Sequence, residues 1–159
     1  MSIRKNDFNE MVKNWVTKHL KEDLMLELVK VYKKKNLSKE NDPLLQNIKN
    51  INLCDFICDF VFLVKDKDLK LILVNTTLKP IGIVDIGELV TYSRVSNPLN
   101  AYLISSKGFS SEISNSLSNP GLTEKLFKFG KNFIIGFQLD KNEINIDSVL
   151  PVIKRDFIR

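Results

Sequence analysis

Two apolar, β-rich runs joined by four charged residues constrain this chain more than any other feature. Phe60-Val61-Phe62-Leu63-Val64 and Leu69 to Val74 flank Lys65-Asp66-Lys67-Asp68, and that spacing predicts a β-hairpin. The unit opens at Asp59 and closes in Asn75-Thr76-Thr77. The apolar, β-branched and aromatic character begins earlier, at Ile51, which extends the expected strand region back through Cys54 and Cys58.

Helical periodicity surrounds this pair. Phe8, Met11, Val12, Trp15 and Val16 recur at the spacing of an amphipathic helix whose stripe faces a core. Leu24, Leu28, Val31 and Tyr32 predict a second helix over 22–35, ending in Lys33-Lys34-Lys35. After Lys79-Pro80-Ile81-Gly82, the Ile83, Ile86, Leu89, Val90 spacing predicts a helix to about Val95, stopped by Asn97-Pro98. Ala101 to Ser105 reads as a short buried strand. Ser110 caps a helix to about Leu117, a further helix runs through Phe127, and Gly130 ends it. Phe133 to Leu139 and Ile144 to Leu150 predict a closing hairpin around Asp140-Lys141-Asn142-Glu143. The order is mixed α/β, with a sheet flanked by helices.

A chain of 159 residues with 43% hydrophobic and 27% charged side chains suits one domain. It divides into a helical N-terminal part over 1–50, a core over 51–110, and helices with a terminal hairpin over 111–159. No run approaches the ~20 apolar residues of a membrane span, and the charged N-terminus does not read as a signal peptide, so a cytoplasmic protein with no membrane partner is expected. Cys54 and Cys58 are expected to be packed thiols, since two thiolates do not complete a zinc site and His19 is the only histidine. That single His19, expected on a helix surface or satisfied near the core, also disfavours Ser/His/Asp and Cys/His nucleophilic chemistry. The net charge of +5 is unevenly placed: 1–50 carry eleven basic and seven acidic side chains, 51–119 six and seven, and 120–159 seven and five. Nucleic acid is a reasonable partner for such a distribution, although lysine-rich surfaces commonly have no such role.

The stretch from Cys58-Asp59-Phe60 through Leu71-Ile72-Leu73-Val74-Asn75-Thr76-Thr77, then Asp85-Ile86-Gly87-Glu88-Leu89-Val90-Thr91-Tyr92 and Ala101-Tyr102-Leu103-Ile104-Ser105, resembles the core of the PD-(D/E)XK nuclease superfamily over roughly 50–110. The resemblance implies a restriction-endonuclease-like αβββαβ core. It puts Asp59 at the metal-binding Asp, Asn75 at the second acid, Thr77 at the lysine of the acid-x-Lys triplet, and Glu88 with Tyr92 at the Gln-x-x-x-Tyr motif.

Two of the three central positions therefore lack the family's chemistry. Magnesium prefers hard carboxylate ligands, and cleavage needs a metal to polarise the phosphate. Losing a positioned catalytic group typically costs 10²- to 10⁴-fold in rate. The resemblance thus points to a catalytically degenerate nuclease-fold protein, with no cofactor, that binds nucleic acid, DNA first, or serves as a subunit of a DNA-processing assembly. Lys79, Arg94 and Lys107 are its candidate phosphate contacts, expected near the former active edge. The alternative is a Mg²⁺- or Mn²⁺-dependent endonuclease with a migrated site, in which Asp59 and Glu88 ligate the metal, Lys79 replaces the lysine and Tyr92 supports them. A third reading is a scaffold or homodimerisation protein, because nucleases of this fold often pair.

Overall fold

Every side chain from Phe60 to Val64 is buried, so this strand must be covered on both faces. In the computed structural model, which describes residues 2–116 and 119–158, it lies in a six-stranded mixed sheet. The elements are α1 (Lys5–Lys18), a π-helical turn (His19–Asp23), β1 (Glu27–Lys33), β2 (Phe60–Lys65), β3 (Leu69–Thr77), α2 (Ile83–Ser96) and β4 (Asn100–Ser105). They continue as α3 (Ser111–Ser116), α4 (Pro120–Phe127), the small hairpin β5 (Lys128–Phe129) and β6 (Asn132–Phe133), β7 (Ile135–Asp140), β8 (Glu143–Leu150) and α5 (Arg155–Ile158).

The sheet order is β1, β2, β3, β4, β7, β8. β3, β4 and β7 are mutually parallel and the other neighbours antiparallel. Alternation divides the core. Val61, Leu63, Leu71 and Leu73 pack with Ile86, Leu89 and Val90 of α2, while Phe60, Phe62, Ile72 and Val74 pack with Phe8, Val12 and Val16 of α1. The hairpin and the α1, α2 and β4 expectations match. Ser110 caps α3 through a 3.3 Å bond from Ile113 N–H, and Leu117 lies outside the described residues.

The helix expected over 22–35 is instead the end of the π-helical turn followed by edge strand β1. A β-bulge explains the misreading. The register slips between Leu28 and Lys30, and the extra residue lets Leu28 and Val31, three apart, face the same core. A three-residue spacing thus arises in a strand and imitates a helix.

The strand expected from Ile51 begins only at Phe60. Asn50 takes a left-handed conformation, Ile51–Leu53 form a 3₁₀ turn, and Leu53 and Ile57 are exposed. Cys54 closes that turn and Cys58 precedes β2. They do not share a strand face, but both are buried free thiols as expected. Among the described residues no helix is long and apolar enough to cross a membrane.

Candidate functional site

Where β2 begins and β3 ends, side chains take over from the backbone ladder. Asp59 stands one step beyond the Phe60 and Val74 pair. Asn75 Oδ1 accepts the Asp59 N–H at 3.1 Å, and Asp59 Oδ2 accepts the Thr76 N–H at 2.8 Å. Each side chain satisfies a backbone donor that lacks a ladder partner, which is a structural role for both.

Thr76 points to the opposite face, towards α1. Its hydroxyl lies 2.7 Å from Asn9 Oδ1 and 3.1 Å from Asp59 Oδ2. One hydroxyl proton serves only one of these acceptors at a time. Lys5 Nζ, also from α1, donates at 2.7 Å to both Thr76 Oγ1 and the Thr76 carbonyl. Burial lowers the Lys5 pKa from its ordinary value, the Asp59 carboxylate opposes that shift, and the Lys34 charge adds to it.

Asp59, Asn75 and Thr76 line a cavity of about 310 Å³ with Asp85, Glu88, Cys58 and Lys34. α2 supplies the facing wall because the β3 to β4 crossover starts beside the end of β3. Asp85 Oδ2 accepts the Gly82 N–H at 2.9 Å and so caps α2. Glu88 Oε1 accepts the Tyr92 hydroxyl at 2.8 Å, and Tyr92 stacks on Phe56 with centroids 4.3 Å apart. Burial, reinforced by the Glu88 carboxylate, pushes the Tyr92 phenol up to about 12.

The structure therefore brings Asp59, Asn75 and Glu88 together, with Tyr92 behind Glu88. It does not add the remaining expected residues. Thr77 accepts the Lys79 N–H at 3.1 Å and lines no part of the cavity, and Lys79 is exposed outside it. Pro80 carries the chain away from the sheet at that point. Arg94 does not lie at this edge. It sits six residues, about 9 Å, beyond Glu88 along α2, and the residues that follow it, Ser96 and Asn97, share a cavity with Leu69 to Leu71 at the start of β3. Lys107 follows β4 at the same sheet end as Asn75 but lines cavities away from Asp59.

The carboxylates lining this cavity are already engaged in hydrogen bonds, so no divalent-metal site is preassembled among the described residues. Among the described residues no three His, Cys, Asp or Glu side chains come together as a metal-holding group. One oxygen of Asp59 is occupied by Thr76, Glu88 is held by Tyr92, and Asp85 is spent on the helix cap. A magnesium ion needs near-octahedral oxygen ligation at 2.0–2.1 Å.

The charges at the two ends of the sheet differ. At the end bearing Asp59, strand termini and tight turns carry Lys33, Lys34, Lys35, Lys79, Lys107 and Lys141 against Asp59, Asp140 and Glu143, with Asp85 and Glu88 of α2 beside them. The opposite end carries Lys65, Lys67 and Lys70 against Glu27, Asp66 and Asp68. Neighbouring strands lie about 4.8 Å apart, so the row from β1 to β7 spans about 19 Å. Lys33 makes only a loose 3.8 Å pair with Glu10.

No protein-family model, curated protein or solved structure matches this chain.

Sequence reasoning missed Lys5, Asn9, Lys34 and Thr76 at this site. Lys5 lies 54 positions before Asp59, and only the packing of α1 on the sheet joins them. Thr76 occupies the unread middle position between Asn75 and Thr77. His19 takes the second of its two expected settings, buried with both ring nitrogens partnered. Its Nδ1 lies 2.8 Å from Asp23 Oδ2 and its Nε2 3.1 Å from the Tyr102 hydroxyl, and its ring stacks on Trp15.

Proposed function

We propose that this chain is a nuclease-fold module of PD-(D/E)XK type that has lost metal-dependent cleavage and binds nucleic acid through the basic end of its sheet. The carrying observation is the convergence of Lys33, Lys34, Lys35, Lys79, Lys107 and Lys141, from four different strands, on one sheet end. A span of about 19 Å corresponds to the rise of five to six base pairs. Lysines so arranged act by releasing counterions from phosphates, so they confer affinity rather than sequence choice. The order α1, β1, β2, β3, α2, β4 agrees with the αβββαβ core of that superfamily. Asp59 and Asn75 retain their places there as structural side chains that close the strand pairing.

The test is a fluorescence anisotropy titration of labelled single-stranded and duplex oligonucleotides at several salt concentrations. Binding that weakens with salt is expected, and no salt-dependent binding to either would defeat the reading. A DNA-processing assembly, a homodimer and a cytoplasmic setting belong to the same proposal. Light scattering tests the dimer, and the free thiols Cys54 and Cys58 suit a reducing compartment.

One observation favours a second reading, a Mg²⁺- or Mn²⁺-dependent endonuclease: Asp59 and Glu88 share one cavity. In that case Lys5, rather than Lys79, is the cation close to Asp59. Metal-dependent nicking of supercoiled DNA that Asp59→Ala abolishes would establish it.

A further inference from the structure

On the α1 side of the basic sheet end lies a second and larger cavity, of about 560 Å³. Its walls are Ile3, Phe8 and Met11 of the N-terminal segment with Leu78 and Leu139, and its polar lining includes Lys107 and Lys141. Phe8 and Leu139 are buried and belong to the α1-side core, so the apolar wall is fixed by packing. Both lysines are exposed, with Asp140 the one acid among the lining residues. The volume lies within the range of small-molecule sites, and such sites combine an apolar wall with a few convergent polar groups.

We propose that this cavity binds a small amphipathic anion, an alkyl carboxylate or alkyl phosphate, with its chain against Ile3, Met11 and Leu78 and its head group at Lys107 and Lys141. The charge argument decides the class. Two ammonium groups face one carboxylate, so an anionic head is attracted, while an uncharged head gains nothing from them. The apolar wall then supplies affinity in proportion to the chain surface it covers.

The site also bears on the nucleic-acid reading, on which this second step rests. Lys107 and Lys141 belong both to this cavity and to the basic row. A ligand that neutralises them removes two phosphate contacts, so anion and nucleic acid oppose each other's binding.

Calorimetric titration of the full chain with decanoate, decyl phosphate and 1-decanol tests the site without reference to nucleic acid. Saturable one-to-one binding of both anions is expected, with 1-decanol weaker. Lys107→Glu/Lys141→Glu changes only exposed side chains and is expected to weaken the anions by at least the roughly two- to thirtyfold that two surface ion pairs are worth. Met11→Trp, which narrows the apolar end of the cavity, is expected to weaken binding while the lysines remain. Absence of saturable decanoate binding would overturn the proposal. So would equal binding of 1-decanol, or unchanged binding in the double variant.

A competition experiment then separates the two claims. Decanoate is expected to displace a labelled oligonucleotide from the wild type and, at the same concentration, less of it from Met11→Trp. If the oligonucleotide does not bind in the first place, the nucleic-acid reading fails while the decanoate titration stands. If it binds and decanoate binds without displacing it, the opposition between the two ligands is wrong.

Discussion

Thr76→Val isolates the polar joint between α1 and the sheet, because valine nearly matches threonine in shape and the loss falls on hydrogen bonding. The threonine hydroxyl sits among Lys5 Nζ at 2.7 Å, Asn9 Oδ1 at 2.7 Å and Asp59 Oδ2 at 3.1 Å. Lys5 retains the Thr76 carbonyl, so it loses about 0.5–1 kcal/mol, and Asp59 keeps the Thr76 N–H and loses nothing while the hydroxyl proton points to Asn9. Asn9 fares worse. It is 1% exposed and its amide nitrogen already lacks a partner, so losing the hydroxyl adds a desolvation cost of about 1–3 kcal/mol. The total is about 3 kcal/mol. With a urea dependence of about 2 kcal/mol per molar, the denaturation midpoint should fall by about 1.5 M. Removing both partners together costs less than removing one, because no buried amide is then stranded. Asn9→Leu combined with Thr76→Val should therefore recover at least about 1 kcal/mol of the summed single costs. A midpoint shift under about 0.3 M, or strict additivity, would refute the joint.

Three further outcomes follow from the same geometry. Burial lowers the His19 pKa from 6.5 despite the opposing Asp23 carboxylate, so the unfolded chain binds that proton first and His19 stabilises the fold fully only above about 6.5. Urea midpoints should fall as pH drops below that value, and His19→Gln should flatten the dependence. Burial raises the Cys54 thiol to about 11 and pushes Cys58 higher still, so a thiol-reactive chromogen should label neither cysteine in native buffer and both in denaturant. Asn75→Asp with Thr77→Lys creates an acid-x-Lys triplet beside Asp59, and calorimetry should detect Mn²⁺ binding that disappears again with Asp59→Ala. Without those changes, no Mn²⁺ binding is expected.

Legibility in the sequence followed the range of the interactions. The two hairpins were readable because their turns are local, and Lys141 and Asn142 both adopt the positive φ that a tight turn demands. α2 was readable because Gly82 opens it and Asn97 closes it in a left-handed conformation before Pro98. β1 was not, since a single bulged residue gave a strand the spacing of a helix. The cavity itself was half legible. Asp59, Asn75 and Glu88 belong to one continuous strand, turn and helix unit, whereas Lys5 and Asn9 reach Thr76 only through α1 packing on the far face. Lys79 was assigned by proximity in sequence, and Pro80 removes it from the strand. Of the basic row, Lys33-Lys34-Lys35 is a run in the sequence and Lys79 and Lys107 were expected near this edge, whereas Lys141 joins them only through the order of the sheet.

The most direct test of the central claim is the salt dependence of oligonucleotide binding in the wild type and in Lys79→Glu/Lys107→Glu/Lys141→Glu. Each phosphate contact contributes a slope of about −0.7 for single strands or −0.9 for duplex DNA in log K against log salt. Loss of three contacts should flatten the slope by about 2–3 and weaken binding uniformly across sequences. An unchanged slope and affinity in the triple variant, or no binding by the wild type, would contradict a nucleic-acid interface at this end of the sheet.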